Sequence, residues 1–367
     1  MIHSTEPDKP DLSARTLRRW AATLALGAAG GWLAGLIGLP LPWLLGALAA
    51  TATAAASGVR LAGGPPTLPQ TARLLFIPVI GVLIGGAFTP ETAARLWEWL
   101  PGLIAVVLFV PAALGFNYWL YHRVAGLDRP TAFFAGMPGG LIESIEMGAE
   151  QGADMRALTV LQFSRIALTV SAVPLLYAVM QGQAVGSAAG MAFAPAAPLG
   201  LGDALLLAAA GVVGFFGARR VGLPAGQITG PILASAAIHA LGWTEAAPPP
   251  ALVAMAQLVI GTHLGLRFNG LTGAELKRYL RLSAASVAGM LGIGAGFAGL
   301  CAALGVAPFA VMWLCFAPGG LVEMGLIALS LNASPIFVTA HHFARIVATV
   351  TFGPRRWRRM TAQTESR

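Results

Sequence analysis

The sequence predicts an all-α, polytopic integral membrane protein that is built from two copies of one unit. Three observations support this prediction: the scarcity of charge, the length of the apolar segments, and a motif that occurs twice in one register. Charged residues make up 10% of the chain and hydrophobic residues 56%, and the mean hydropathy is +0.73. Because a soluble domain carries about 25% charged residues, most of this surface must face lipid.

The apolar segments are long, and they do not alternate between apolar and polar residues. Only helices and closed barrels satisfy their backbone groups inside a bilayer, and barrel strands would alternate, so the segments are predicted to be helical. The length allows roughly ten crossings of about 20 residues each. The apolar segments fall at 20–38, 41–57, 70–87, 99–121, 131–150, 157–180, 203–218, 225–241, 251–266, 282–304, 307–331 and 335–352.

The formal net charge of +8 comes mostly from Lys and Arg residues between the apolar segments and at the two ends. This distribution is typical of charges that set membrane topology, whereas a nucleic-acid site needs a folded basic platform. We therefore predict a lipid bilayer as partner and no nucleic acid. Cys301 and Cys315 lie inside apolar segments and form neither a disulfide framework nor a metal-binding spacing.

Several stretches of the first half return in the second half. The most informative are MPGGLIESI at Met137–Ile145 and APGGLVEMG at Ala317–Gly325, which are separated by 317 − 137 = 180 positions. The same offset relates Gly81, Gly85 and Phe88 to Gly261, Gly265 and Phe268, and Phe163–Ile166 to Phe343–Ile346, while GLPLPWLLG at Gly38–Gly46 returns as GLPAGQITG at Gly222–Gly230. Shared membrane composition would not place Pro, Gly-Gly, Glu and Arg in one register.

The predicted organisation follows from this repeat. It comprises a cytoplasmic N-terminal tail at 1–19, repeat 1 at 20–180, a Gly/Ala/Pro-rich joint at 181–202, repeat 2 at 203–353, and a basic cytoplasmic C-terminal tail at 354–367. The first apolar segment has no convincing cleavage site after it, which favours a retained span over a signal peptide.

The positions of Lys and Arg predict that the two repeats are inverted. If each PGGL segment enters the membrane and returns, or is a broken helix, each repeat makes about five crossings. Basic loops such as those with Arg60, Arg219 and Lys277 then lie on one side, together with both termini. By the positive-inside rule this side is the cytoplasm of a bacterial-type inner membrane.

The two PGGL segments are the predicted binding site. Gly/Pro interruptions at matching positions of two halves indicate a midplane site in transporters, where half-helix N-termini attract anions. The predicted backbone residues are Pro138, Gly139, Gly140, Pro318, Gly319 and Gly320. Close helix packing through small residues is the structural alternative.

Charged residues follow each break at the same spacing. Glu143 and Glu323 lie in the first turn of the following helix, and Arg165 and Arg345 lie about 12–15 Å inside their spans. Buried charges need partners, so we predict that Glu143 pairs with Arg165, or Glu323 with Arg345. A purely structural ion pair and a simple interaction of each Glu with the helix dipole are the alternatives.

Gln162 and His342 occupy matching positions, about one turn before the two arginines. We include both among the predicted substrate-binding residues, and protons could move with the solute if His342 titrates. Because no carboxylate or cysteine completes a ligand set around His341 and His342, we predict no metal site, no cofactor and no catalytic residue.

The motif GMPGGLIESIEMGAEQGADMRALTVLQFSRI at Gly136–Ile166 resembles the membrane AbrB duplication family, and the resemblance extends from about Gly31 to Gly353. This family is unrelated to the small DNA-binding proteins of the same name. Its members are labelled transcriptional regulators or ammonia monooxygenases, and the resemblance implies no established site residues. The second half departs from the motif, with Asn332-Ala333-Ser334 in place of Gly152-Ala153-Asp154.

Three functions are compatible with these features. A secondary transporter or permease for a small anionic solute is favoured. A membrane protein that regulates gene expression, indirectly or as a sensor, is the alternative that the family label suggests. A monooxygenase-like enzyme is disfavoured because no His/carboxylate set for copper or iron can be assembled from the paired positions. A homo-oligomer is compatible with each of these functions.

Overall fold

The computed structural model describes residues 13–90, 92, 96–181 and 199–365. In this part of the chain it contains fourteen α-helices and no β-strand. The helices are α1 (Ala14–Leu36), α2 (Pro42–Ala56), α3 (Gln70–Gly85), α4 (Leu100–Tyr118), α5 (Arg129–Ala135), α6 (Leu141–Glu150), α7 (Met155–Gln181), α8 (Leu201–Arg220), α9 (Gly226–Ala240), α10 (Pro250–Gly265), α11 (Gly273–Ala303), α12 (Phe309–Phe316), α13 (Leu321–Ser330) and α14 (Pro335–Glu365). The predicted all-α class is confirmed.

By length and composition, six of the described helical stretches can cross a membrane. They are Leu96–Val124, Met155–Met180, Leu201–Arg220, Pro250–Phe268, Gly273–Ala303 and Pro335–Ala362. The apolar helices α2, α3 and α13 are shorter than 18 residues. At 1.5 Å per residue, the 15 residues of α2 cover only about 23 Å of a hydrocarbon core that is about 30 Å thick.

The helices of the two halves follow one order, α1–α7 and then α8–α14. The predicted segments 131–150 and 307–331 are each divided at the PGGL motif, into α5 and α6 and into α12 and α13. Residues 182–198 of the predicted joint lie outside the described residues. The last helix continues through Pro354 to Glu365, so the basic C-terminal segment is helical as far as the structure describes it.

Helix α3 packs closely against α9 of the other half through two glycines. A Cβ on Gly81 would lie 3.0 Å from the carbonyl oxygen of Ile228, and one on Gly85 would lie 2.4 Å from that of Ile232. No side chain fits at these distances, so the glycines allow the two helix backbones to approach, as small residues do in membrane bundles.

The same contact occurs between α10 and α2. A Cβ on Gly261 would lie 2.3 Å from the carbonyl oxygen of Leu44, and one on Gly265 would lie 2.7 Å from that of Leu48. These four residues are the repeat equivalents of those between α3 and α9. The contact is therefore reciprocal, because each half contributes two glycines to one crossing and two carbonyl oxygens to the other.

Helices α3 and α10 pack side by side, and the end of α10 lies beside the start of α3. The Nε2 atom of His263, near the end of α10, lies 2.9 Å from the carbonyl oxygen of Pro69, just before α3. Asn117 near the end of α4 accepts from Ser286 at 2.8 Å, whereas the earlier Phe109 contacts Phe297, further along α11. Thus α3 runs antiparallel to α10, and α4 runs antiparallel to α11.

Candidate functional site

The first break lies between α5 and α6. Arg165 of α7 binds a carbonyl group just after the C-terminal end of α5. The Nη1 atom of Arg165 donates to the carbonyl oxygen of Met137, and Gln162 donates to that of Phe134 at 2.8 Å. A helix that ends inside the protein leaves carbonyls without intrahelical partners. Here two side chains of one neighbouring helix supply the missing donors.

The second break, between α12 and α13, has the same hydrogen bonds. Arg345 of α14 donates to the carbonyl oxygens of Ala317 and Gly319, the latter at 2.6 Å. The Nε2 atom of His342 lies 3.0 Å from the carbonyl oxygen of Leu314. In both halves the side chain and its acceptor are 28 residues apart, so Gln162 and His342 perform the same task on equivalent carbonyls.

The predicted ion pairs are wrong. In the described part of the chain no carboxylate lies within 4.0 Å of the guanidinium nitrogens of Arg165 or Arg345. The physical reason is the break itself, which exposes carbonyls at one end and N–H groups at the other. Guanidinium groups bind the negative, C-terminal end of one half-helix, and carboxylates lie at the positive, N-terminal end of the next.

Each glutamate lies close to the glycine that precedes its helix. A Cβ on Gly320 would lie 2.1 Å from Oε2 of Glu323, and a Cβ on Gly140 would lie 3.3 Å from Oε2 of Glu143. The side chain of Glu323 is 6% exposed, whereas Glu143 is half-buried. The helix-dipole alternative therefore describes both glutamates better than ion pairing does.

The ends of the two breaks line one cavity of about 120 Å³. Eight of the twelve predicted residues line it, and these are Gly139, Gly140, Glu143, Arg165, Gly319, Gly320, Glu323 and Arg345. The other four, Pro138, Gln162, Pro318 and His342, are buried but do not line this cavity. Gln162 and His342 instead bind carbonyl oxygens of α5 and α12, next to the breaks.

Three further cavity residues were missed by the sequence reasoning. Arg73 of α3 and Arg267 after α10 line the cavity, and so does His263, which the hydrogen bond to Pro69 holds in place. The guanidinium of Arg267 lies 4.5 Å from the ring centre of Phe163.

The missed residues have no charged counterpart in the other half. Arg73 corresponds to Val253 and Arg267 corresponds to Ala87, by the offset of 180 positions. The repeat therefore gives no signal for them, although an Arg inside the predicted apolar segment 70–87 is by itself a signal for a site.

The charges of this cavity favour an anion. Four arginines and two glutamates line it, so the formal charge is 4 − 2 = +2. Arg165 and Arg345 are 3% and 1% exposed, and their Nε atoms have no hydrogen-bond partner. Among the described residues, no group of three or more His, Cys, Asp or Glu is placed to hold a metal ion.

Fold and site together define a class: all-α membrane proteins in which two broken helices meet at a charged cavity. The family model described as "Transition state regulatory protein AbrB" matches residues 54–361. The chain therefore belongs to the AbrB family, as the motif at Gly136–Ile166 predicted.

Two curated relatives resemble nearly the whole chain. The "Putative regulator AbrB" of Escherichia coli (strain K12) is 29% identical over 324 residues, which cover 86% of this chain and 89% of the relative. The "Uncharacterized protein YhjN" of Bacillus subtilis (strain 168) is 24% identical over 354 residues and 90% of each chain.

Proposed function

We propose that this protein is a secondary transporter or permease for a small anionic solute, and that it is not an enzyme. One observation carries the proposal: both breaks open into a single cavity that four arginines and two glutamates line. Discontinuous helices at the centre of two repeats are the usual site of substrate binding in secondary transporters. The excess of positive charge, with the N-termini of α6 and α13, favours an anion over a cation.

The geometry suggests how the solute is held and how large it is. Four arginines line the cavity, and a carboxylate of the solute can accept charge-assisted hydrogen bonds from such guanidinium groups. One water molecule needs about 10–15 Å³ of cavity volume. A cavity of about 120 Å³ therefore admits a solute of roughly ten non-hydrogen atoms.

Inverted repeats are part of this proposal, because they give the two alternating states of a transporter a common axis. Two structural features support them: the equivalent helices α3 and α10 are antiparallel, and so are α4 and α11. Repeats in parallel orientation would keep equivalent helices parallel. Both termini then lie on the cytoplasmic side of the inner membrane.

Cysteine labelling in intact cells tests the inversion in a background without Cys301 and Cys315. Trp243 and Thr272 are both exposed, at the end of α9 and at the start of α11. We expect an impermeant thiol reagent to label Trp243→Cys from outside and to leave Thr272→Cys unlabelled until the membrane is opened. Labelling of Thr272→Cys in intact cells would exclude the inversion.

Uptake into proteoliposomes tests the transport itself. The probes are radiolabelled mono- and dicarboxylates, with methylammonium as the cationic comparison. We expect Arg73→Gln and Arg267→Gln to lower the initial rate of carboxylate uptake about tenfold or more, because each removes one charge-assisted contact. Lys277→Gln is the matched control, since Lys277 is exposed and does not line the cavity. Uptake of methylammonium alone, unaffected by either arginine change, would refute an anion transporter.

Regulation of gene expression is the second candidate, and the family description and the name of the E. coli relative favour it. In this case the cavity binds the anion as a signal, or transport changes expression through solute levels. The proteoliposomes separate these cases. Saturable binding without flux supports a sensor, and flux supports a transporter.

A further inference from the structure

A long apolar groove lies between α3 and α8, away from the charged cavity. It encloses about 740 Å³, and its walls include Leu75, Pro78, Val82, Leu207, Val212 and Phe216. Leu75 is 71% exposed and Phe216 is 64% exposed. Since α8 is one of the helices that can cross a membrane, this groove faces the hydrocarbon of the bilayer.

The equivalent pair of helices, α10 and α1, has a closer contact at the matching point. A Cβ on Gly27 of α1 would lie 2.5 Å from Oγ1 of Thr262 in α10, whereas one on the equivalent Gly211 of α8 would lie 3.5 Å from Val82 of α3. The α3–α8 pair therefore leaves space at this point that the α10–α1 pair fills with the side chain of Thr262.

The groove has the length of one leaflet and a cation at one end. Thr71 and Val82 both line it and are eleven residues apart, which is about 16 Å along a helix. Half of the bilayer hydrocarbon is about 15 Å thick. Arg219 lines the groove at the end of α8, and its guanidinium lies 5.2 Å from the ring centre of Phe215.

We propose that this groove is a binding site for one anionic phospholipid. An acyl chain lies along α3 and α8, and Arg219 binds the phosphate of the headgroup. The positive-inside pattern predicts Arg219 on the cytoplasmic side, where basic residues near the surface attract anionic lipids. This site is independent of the proposed transport activity.

Native mass spectrometry of the full chain, released from detergent, tests the proposal. The probes are phosphatidylglycerol and phosphatidylcholine with the same acyl chains. We expect one phosphatidylglycerol to be retained in preference to phosphatidylcholine, and Arg219→Gln to weaken its binding about fivefold. The matched control is Arg220→Gln, because Arg220 follows on the same helix end but does not line the groove.

A second pair of variants tests the groove itself. Ala208 and Ala209 are both exposed on α8, and only Ala208 lines the groove. We expect Ala208→Phe to fill the groove and to lower lipid retention, and Ala209→Phe to leave it unchanged. Equal retention of both lipids, equal effects within either pair of variants, or a dimer that excludes lipid from this face would overturn the proposal.

Discussion

The two breaks share one plan of hydrogen bonds, but their backbones differ. Gly140 has a φ of +64°, a left-handed conformation that favours glycine, whereas its equivalent Gly320 has a φ of −80°. A Cβ on Gly139 would lie 3.3 Å from the Cα atom of Ile346, whereas the three atoms nearest to a Cβ on Gly319 all belong to the side chain of Met324. The first break therefore requires its glycines more strictly than the second does.

The side chains at the two breaks also differ, and here the second break is the more constrained of the two. Arg345 donates to two carbonyls of the second break, and Arg165 donates to one carbonyl of the first. Glu323 is buried, whereas Glu143 is half-buried. Backbone conformation constrains the first break, and buried side chains constrain the second. A duplicated motif can thus keep its contacts while different parts of it become indispensable.

The largest expected effect concerns the two arginines. Arg345→Ala leaves the carbonyl of Gly319 without its donor, and we expect it to lower the free energy of unfolding by about 3–5 kcal/mol. We expect only about 2 kcal/mol for Arg165→Ala, because Gln162 also reaches the carbonyl of Met137, at 3.4 Å. Thermal unfolding of both variants in one detergent measures the difference.

Arg345→Lys is the control for this comparison. It keeps the charge but loses the planar fork that reaches two carbonyls at once. We therefore expect an intermediate stability. Equal loss in Arg345→Ala and Arg165→Ala would contradict the asymmetry between the breaks.

A smaller effect is expected for the second glycine of each motif. Gly140→Ala places a side chain in a left-handed conformation, which costs about 1–2 kcal/mol, and its Cβ would lie 2.9 Å from Cγ2 of Val350. The φ of −80° at Gly320 is one that any residue adopts, and a Cβ there would meet only the end of a side chain, the carboxylate of Glu323, among its three nearest atoms. For Gly320→Ala we therefore expect the free energy of unfolding to change by at most about 1 kcal/mol in either direction. Unfolding midpoints of the two variants test this order, and a reversed order would be evidence against it.

The smallest effect is expected from exchanging Gln162 and His342. Each donates to an equivalent carbonyl, so Gln162→His combined with His342→Gln should change stability by less than about 1 kcal/mol. Carboxylate uptake should stay within about twofold, with the same dependence on pH. A proton dependence that disappears with His342 would instead assign proton movement to this residue.

The sequence predicted the parts of the molecule that are repeated. The apolar segments, the division of 131–150 and 307–331, and the convergence of both PGGL motifs on one cavity follow from the register of Met137–Ile145 and Ala317–Gly325. Positions in register carry this information because equivalent residues of the two halves form both breaks, and both breaks line one cavity.

The remaining features could not be read from paired positions. Arg73 and Arg267 belong to the cavity without a charged counterpart, so the repeat gave no signal for them. The partners of Arg165 and Arg345 are backbone carbonyls, which every residue type provides. A sequence shows which side chains need a partner, but it does not show which carbonyls a broken helix leaves free.

The reciprocal glycine contacts have an evolutionary consequence. Gly81 touches the backbone at Ile228, and its duplicate Gly261 touches the backbone at Leu44, so each copy of the unit carries half of both contacts. A larger side chain at a glycine of one copy would displace the helix backbone of the other copy. The two copies therefore cannot diverge freely at these helix crossings. Divergence is left to positions such as 162 and 342, where two residue types can make the same bond.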